Sequence, residues 1–118
     1  MFDIDEKPMF VQIMDMIKDD ILSEVYGVDE LIISTPQISK LLQVNPTTAQ
    51  KAIGILTDRG IIYKKRGVGM AVTKEAKDMI LEEKKKAFFE KAVSQFINEA
   101  RKIGIEDEQL IKIVKENM

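Results

Sequence analysis

Two short strings in this 118-residue chain hold side chains whose types and spacing suit a common task. The first is Val44-Asn45-Pro46-Thr47-Thr48-Ala49-Gln50-Lys51-Ala52. Read as a helix that continues to about Arg59, it places Thr47, Gln50, Lys51 and Gly54 on one side, with Ala49, Ala52, Ile53 and Leu56 on the other. The polar side has the chemistry of base and phosphate recognition. A glutamine amide can bond an adenine edge at two atoms, a lysine can reach guanine or phosphate, and a threonine methyl can touch the thymine methyl. The second string is Lys64-Lys65-Arg66-Gly67-Val68-Gly69. An arginine beside glycines, which add no bulk and allow close backbone approach, suits a narrow minor groove, while Lys64 and Lys65 suit phosphate oxygens. Taken singly, each feature has a plainer reading: Thr47 and Thr48 as helix-start chemistry, Gln50 and Lys51 as a solvated face, the second string as a charged turn. Their coincidence in one short stretch favours nucleic acid.

Most other chemistry lacks its residues. Cysteine and histidine are both absent, which removes disulfides, thiolate nucleophiles, imidazole bases and the zinc sites that depend on those ligands. The carboxylate pairs Asp15 with Asp19 and Glu82 with Glu83 fall on polar helical faces without converging oxygen ligands, so they read as solvated charge rather than an acid/base pair or a cation site. Met9, Met14 and Met16 read as gap fillers on one helix. No catalytic residue, cofactor or metal site is assigned, and the chain is not expected to be an enzyme.

Charge is segregated along the chain. Residues 1 to 34 carry two basic and nine acidic side chains, residues 35 to 74 seven basic against Asp58 alone, and residues 75 to 118 nine basic and ten acidic. The middle block is therefore +6 in a chain of net charge −2, and it contains both strings. Binding to a polyanion responds to the local potential of one face, so this segregation outweighs an overall pI near 5.3. With 45% hydrophobic and 32% charged residues the composition is that of a folded soluble domain, with no apolar run long enough to span a membrane. The opening MFDIDEK is acidic where a secretory leader is basic, and the expected location is the cytoplasm.

The elements that must position these strings follow from periodicity and punctuation. Pro8, then Phe10, Ile13, Ile17 and Ile21, predict an amphipathic helix over about 8 to 25. Leu31 to Ile33 is too short for a helix and reads as extended. Ser34 or Thr35 caps a second helix with Pro36 at its start, ending near Gln43; Asn45 caps the third, with Pro46 at its first position and Gly60 as its stop. Ile61 to Lys64 and Met70 to Thr73 predict a hairpin turning over Arg66 to Gly69. From about Glu75 to Lys102 the pattern is one long helix, followed by a short one from Asp107 to Glu116. Its middle, Glu82 to Lys86, is polar all round, so a boundary is expected there. The fold class is thus mainly α with a small β-hairpin: a winged helix-turn-helix over residues 1–74, followed by a two-helix dimerisation tail over residues 75–118.

At these residues the chain resembles the GntR family of winged-helix transcription regulators, and more closely its small YtrA subgroup. The resemblance rests on the first string, on Gly60-Ile61-Ile62-Tyr63 at the helix exit, and on Lys64 to Met70 in the wing. It implies a cytoplasmic homodimer that binds double-stranded DNA at a two-fold symmetric operator and usually represses. It also implies that Thr35 and Gln37 approach phosphate at the start of the second helix, that Asn45, Thr47, Thr48, Gln50 and Lys51 lie along the groove-facing part of the third, and that Arg66 and Gly67 form the wing contact. Many family members have an arginine early in the second helix and another opening the third, where this chain has Pro36 or Gln37 and Pro46. The loss of two guanidinium groups shifts the expected specificity toward the wing and DNA shape. Ala71 stands where the subgroup commonly has a larger aromatic residue.

The apolar stripe Phe89, Ala92, Phe96, Ile97 and Ala100, with Leu110, Ile111 and Val114, exceeds what so small a monomer covers with its own core, which predicts association through the tail. The last 44 residues are too few to enclose an ordinary ligand pocket, so a small-molecule effector would sit at an interface, and none is assigned. The competing reading is a winged-helix module whose basic face docks an acidic protein.

Overall fold

The computed structural model describes residues 7–118. Within it the chain forms two compact units, the first running up to Leu81 and the second from Glu82 to Met118.

The first unit is built on helix α1, Met9–Leu22, which follows Pro8 and buries Ile13, Ile17 and Ile21, one turn apart along its stripe. It stops short of residue 25. Ser23 closes its last turn, Glu24 takes a left-handed φ of 63°, and the amide of Val25 bonds back to the Asp20 carbonyl at 2.8 Å. Helix α2, Thr35–Leu42, opens on a reciprocal cap: Ser34 Oγ accepts from the Gln37 amide and Gln37 Oε1 accepts from the Ser34 amide. Gln43, at φ 53°, ends it in the left-handed conformation that turns the chain within two residues. Asn45 Oδ1 then accepts from the Thr47 amide at 2.8 Å and starts helix α3, Pro46–Asp58. Ala49, Ala52, Ile53 and Leu56 are its buried face, as the periodicity requires.

After Gly60, strands β1, Ile62–Lys65, and β2, Gly69–Val72, pair antiparallel with Ile62 opposite Val72 and Lys65 opposite Gly69. Because Gly69 joins the ladder, the tip is only Arg66, Gly67 and Val68, with Gly67 at a φ of 74° that a side chain would strain. The expected extended segment adds to β2 rather than standing alone. Leu31 bridges Ala71, the Ile32 amide bonds the Met70 carbonyl, and the Asp29 amide bonds the Val72 carbonyl. Both sides of β2 are therefore paired, which keeps a short strand from fraying. Ala71 is fully buried in this arrangement, so a larger side chain there has no room without rebuilding the wing root.

The core continues past residue 74. Ala76 and Ile80, in the first turns of helix α4, Ala76–Ala87, are fully buried with Ile13, Ile17, Ile62 and Val72. Burying one such aliphatic side chain contributes about 1.5–3 kcal/mol, which is how a unit of this size stays folded.

Beyond Leu81 the second unit is helical and nearly coreless. Every residue from Leu81 to Ala92 is exposed. The long helix expected over 75 to 102 is interrupted by a π-helical stretch, Phe88–Val93, before helix α5, Ser94–Lys102. Gly104, at φ 78°, reverses the chain into helix α6, Asp107–Glu116. Among the described residues, no helix is long and apolar enough to cross a membrane.

Candidate nucleic-acid interface

The candidate site is the surface formed by the start of α2, the outward side of α3 and the hairpin, all within the first unit. Helix α3 packs against α1, α2 and β1 through its apolar face, which leaves Thr47, Gln50, Lys51 and Gly54 exposed on the other side. The separation expected from sequence is therefore present, and Thr48, half-buried, sits at its margin.

Individual residues divide by how their atoms are used. The Asn45 side-chain oxygen is committed to the cap of α3, so Asn45 shapes the helix start and has its amide nitrogen left to offer outward. Gln37 is likewise committed by its oxygen to the cap of α2, and Thr35, the first residue of that helix, is half-buried. Amides at the positive ends of both helices suit phosphate oxygens. Gln50 is exposed and one turn into α3, where a side chain can follow a groove floor. Lys51 is exposed but folded back: its Nζ lies 4.0 Å from the centroid of the Phe10 ring on α1.

In the wing, Lys64 and Lys65 end β1, and Arg66 and Gly67 begin the tip; all four are exposed. Lys65 is turned toward the root, its Nζ donating to the Asp29 carbonyl at 3.1 Å. Tyr63, two positions earlier, donates its hydroxyl to Asp29 Oδ1 at 2.8 Å. That bond to a carboxylate holds the Tyr63 hydroxyl above the usual phenol range, because ionising it would remove the donor and set two negative charges together. Asp29, itself at φ 65°, thus clamps the wing root from both backbone and side chain.

No family model matches the chain. A GntR family transcriptional regulator from Listeria monocytogenes, of known structure, is 33% identical to it over 98% of both chains, with a TM-score of 0.69. The chain belongs to the GntR family. A second structure, a transcriptional regulator of the GntR family from Bacteroides thetaiotaomicron, is 31% identical, with 91% of this chain and 94% of that one covered and a TM-score of 0.77. The HTH-type transcriptional repressor YtrA of Bacillus subtilis is 29% identical over 109 residues, 92% of this chain and 83% of the relative.

Pro36 and Pro46 serve the helix starts, where a rigid φ and a missing amide hydrogen cost nothing. The cations that remain on α3 and the wing are Lys51, Lys64, Lys65 and Arg66. Three residues have roles at the site that the sequence reading does not assign. Phe10 supports Lys51, and Asp29 with Tyr63 fixes the wing root. Tyr63 and Asp29 are 34 residues apart and share no periodic pattern, so their pairing has no local signature. Phe10 had one: it lies on the apolar stripe of α1, but at its amino-terminal end, where an aromatic reads as core.

Proposed function

We propose that this GntR-family protein is a sequence-specific double-stranded DNA-binding transcription regulator, a repressor that works in the cytoplasm as a homodimer on a two-fold symmetric operator. The observation that carries the reading is the outward side of α3. Its amino-terminal end is built by the Asn45 cap, its apolar side is wholly consumed by the core, and Thr47, Gln50 and Lys51 are presented to solvent beside a cationic glycine-tipped hairpin. A helix so held can be laid in a major groove with its polar row toward base edges, while Arg66 and Gly67 reach the adjacent minor groove. Thr35 and Gln37, at the positive end of α2, and Lys64 with Lys65 supply phosphate contacts that set position rather than sequence.

The dimer is supported by the second unit, where Phe88, Phe96, Ile97, Leu110, Ile111 and Val114 line an open apolar groove of ≈ 570 Å³. A second copy of the same tail is the occupant that gives two reading heads related by a two-fold axis. The rival reading, a module that docks an acidic protein, has no such use for a glycine-tipped arginine or for the amide of Gln50.

Selection of bound fragments from random duplex DNA tests the whole. A two-fold symmetric site with half-sites about 34 Å apart is the expected product. An enriched lone half-site defeats the dimer, and no enrichment over input defeats the regulator. On the selected duplex, binding should fall linearly in log affinity against log salt, and Arg66→Ala should lower both the affinity and the slope.

A further inference from the structure

The side chain of Lys51 is not a free arm. Its ammonium sits 4.0 Å from the centre of the Phe10 ring, within the range where the negative face of an aromatic ring attracts a cation. Phe10 is the second residue of α1, half-buried and packed against the core, so the ring is a fixed platform rather than a mobile surface group. A lysine on α3 that leans onto α1 has its charge displaced sideways, off the row formed by Thr47 and Gln50. Lys51 is nonetheless exposed, so its ammonium is open to a ligand. A compact ammonium in that place can meet the wall of a groove, where phosphates are, but not the floor, where base edges are.

We propose that Phe10 is a positioning residue of the DNA interface: it holds the Lys51 ammonium at the flank of α3 as a phosphate contact, and so removes Lys51 from base reading. The proposal rests on the DNA-binding reading above and deepens it, since it assigns Lys51 to affinity and leaves Gln50 and the wing to carry sequence. The pairing contributes by pre-ordering: a lysine already held in place loses less rotamer freedom when the duplex arrives.

The test uses the full chain, the duplex recovered by selection, and a scrambled duplex of the same composition. Lys51→Ala should weaken both by a similar factor and reduce the salt slope by about one phosphate's share, near 0.9, whereas Gln50→Ala should weaken the selected duplex and spare the scrambled one. Phe10→Leu, which keeps an apolar side chain on α1 but removes the ring, should weaken both duplexes by roughly two- to fivefold, the factor expected for an exposed cation–ring contact. In a Lys51→Ala background the same Phe10→Leu change should do nothing. Without DNA, the Lys51 side-chain protons should resonate upfield under the ring current, and Phe10→Leu should abolish that shift.

Equal weakening by Phe10→Leu in both backgrounds would show that it acts through the fold and overturn the proposal. So would an unshifted Lys51 signal in the intact protein, or a Lys51→Ala variant that loses only the selected duplex. Wild-type protein that binds neither duplex defeats the DNA reading itself, a result none of the other outcomes resembles.

Discussion

The two compact units are both helical and both amphipathic, yet they dispose of their apolar side chains in opposite ways. In the first, the stripes of α1 and α3 are spent on each other: Ile13, Ile17, Ile38, Leu56 and Ile62 are essentially inaccessible, although single apolar side chains such as Val25, Leu41 and Val68 remain exposed. In the second, only Ala100 is buried, while Phe88 is 58%, Phe96 48% and Ile111 56% exposed. Hydrophobic content does not separate the units; its destination does. A unit that satisfies its own apolar surface can present chemistry to a ligand. One that leaves a contiguous apolar groove open is built to be completed from outside.

Matched truncations should split that contrast most sharply. Leu56→Ala removes a fully buried side chain from the meeting point of α3 with the core, and a cavity of that kind costs about 2–5 kcal/mol. Thermal or urea unfolding should show most of the first unit's stability gone, with the loss of DNA binding following from it. Phe96→Ser makes a change of similar size on the groove of the second unit, and its expected effect is on association. Sedimentation should show the proposed dimer dissociating at concentrations where the wild type is expected to hold, while the melting of the first unit moves little. A Phe96→Ser protein as dimeric as the wild type removes the groove from the interface. One that unfolds as Leu56→Ala does erases the distinction between the units.

Legibility from sequence follows the same divide. In the first unit, local rules agree with one another: Pro8, Ser34, Asn45 and Gly60 punctuate helices whose stripes all point to one core, and those elements lie close to where the residues put them. The misses there come from contacts between distant segments. The Asp29 clamp and the pairing of Leu31 with Ala71 join parts of the chain that no periodicity connects. In the second unit, the stripe Phe89, Ala92, Phe96 assumed an uninterrupted α-helix. The π-helical stretch Phe88–Val93 shifts the phase by its wider turn, so Phe88 and Val93 line the groove with Phe96 and Ile97, and Phe89 lies in a separate hollow with Glu82, Lys85, Lys86 and Glu90. A phase change of this kind has no residue signature, and with little core around it nothing in the pattern corrects the period.

A cap separates the roles within the interface itself. Asn45 is expected both to cap α3 and to lie along its groove-facing part, and its oxygen holds the Thr47 amide as the cap requires. Asn45→Ala should cost about 1 kcal/mol of stability by leaving that amide unsatisfied. Asn45→Asp keeps the cap oxygen and adds charge at the positive end of α3, so it should retain stability while repelling phosphate. Chemical denaturation and duplex titration of the two variants distinguish the roles. If Asn45→Ala weakens DNA binding no more than its stability loss explains, the residue is a cap alone. A large loss for Asn45→Asp with full stability places phosphate against this helix start.

The smallest effect lies at the back of the first unit, where Glu24 follows α1 and meets Lys77 of α4 at 2.6 Å. The hydrogen bond from Lys77, and then its charge, hold the Glu24 carboxyl below its ordinary value. A carboxylate whose folded value is depressed stabilises the fold above its unfolded value, and that contribution fades as the pH falls through the folded one. Both side chains are well exposed to solvent, which screens the pair and keeps its effect small. Glu24→Gln should therefore melt slightly below the wild type at neutral pH, with the two curves converging as the pH drops below the ordinary glutamate range. High salt should narrow the gap at neutral pH as well. Convergence under both conditions identifies the ion pair, whereas a gap that persists in acid shows that the difference does not come from the Glu24 charge, since the backbone strain at φ 63° is common to both proteins.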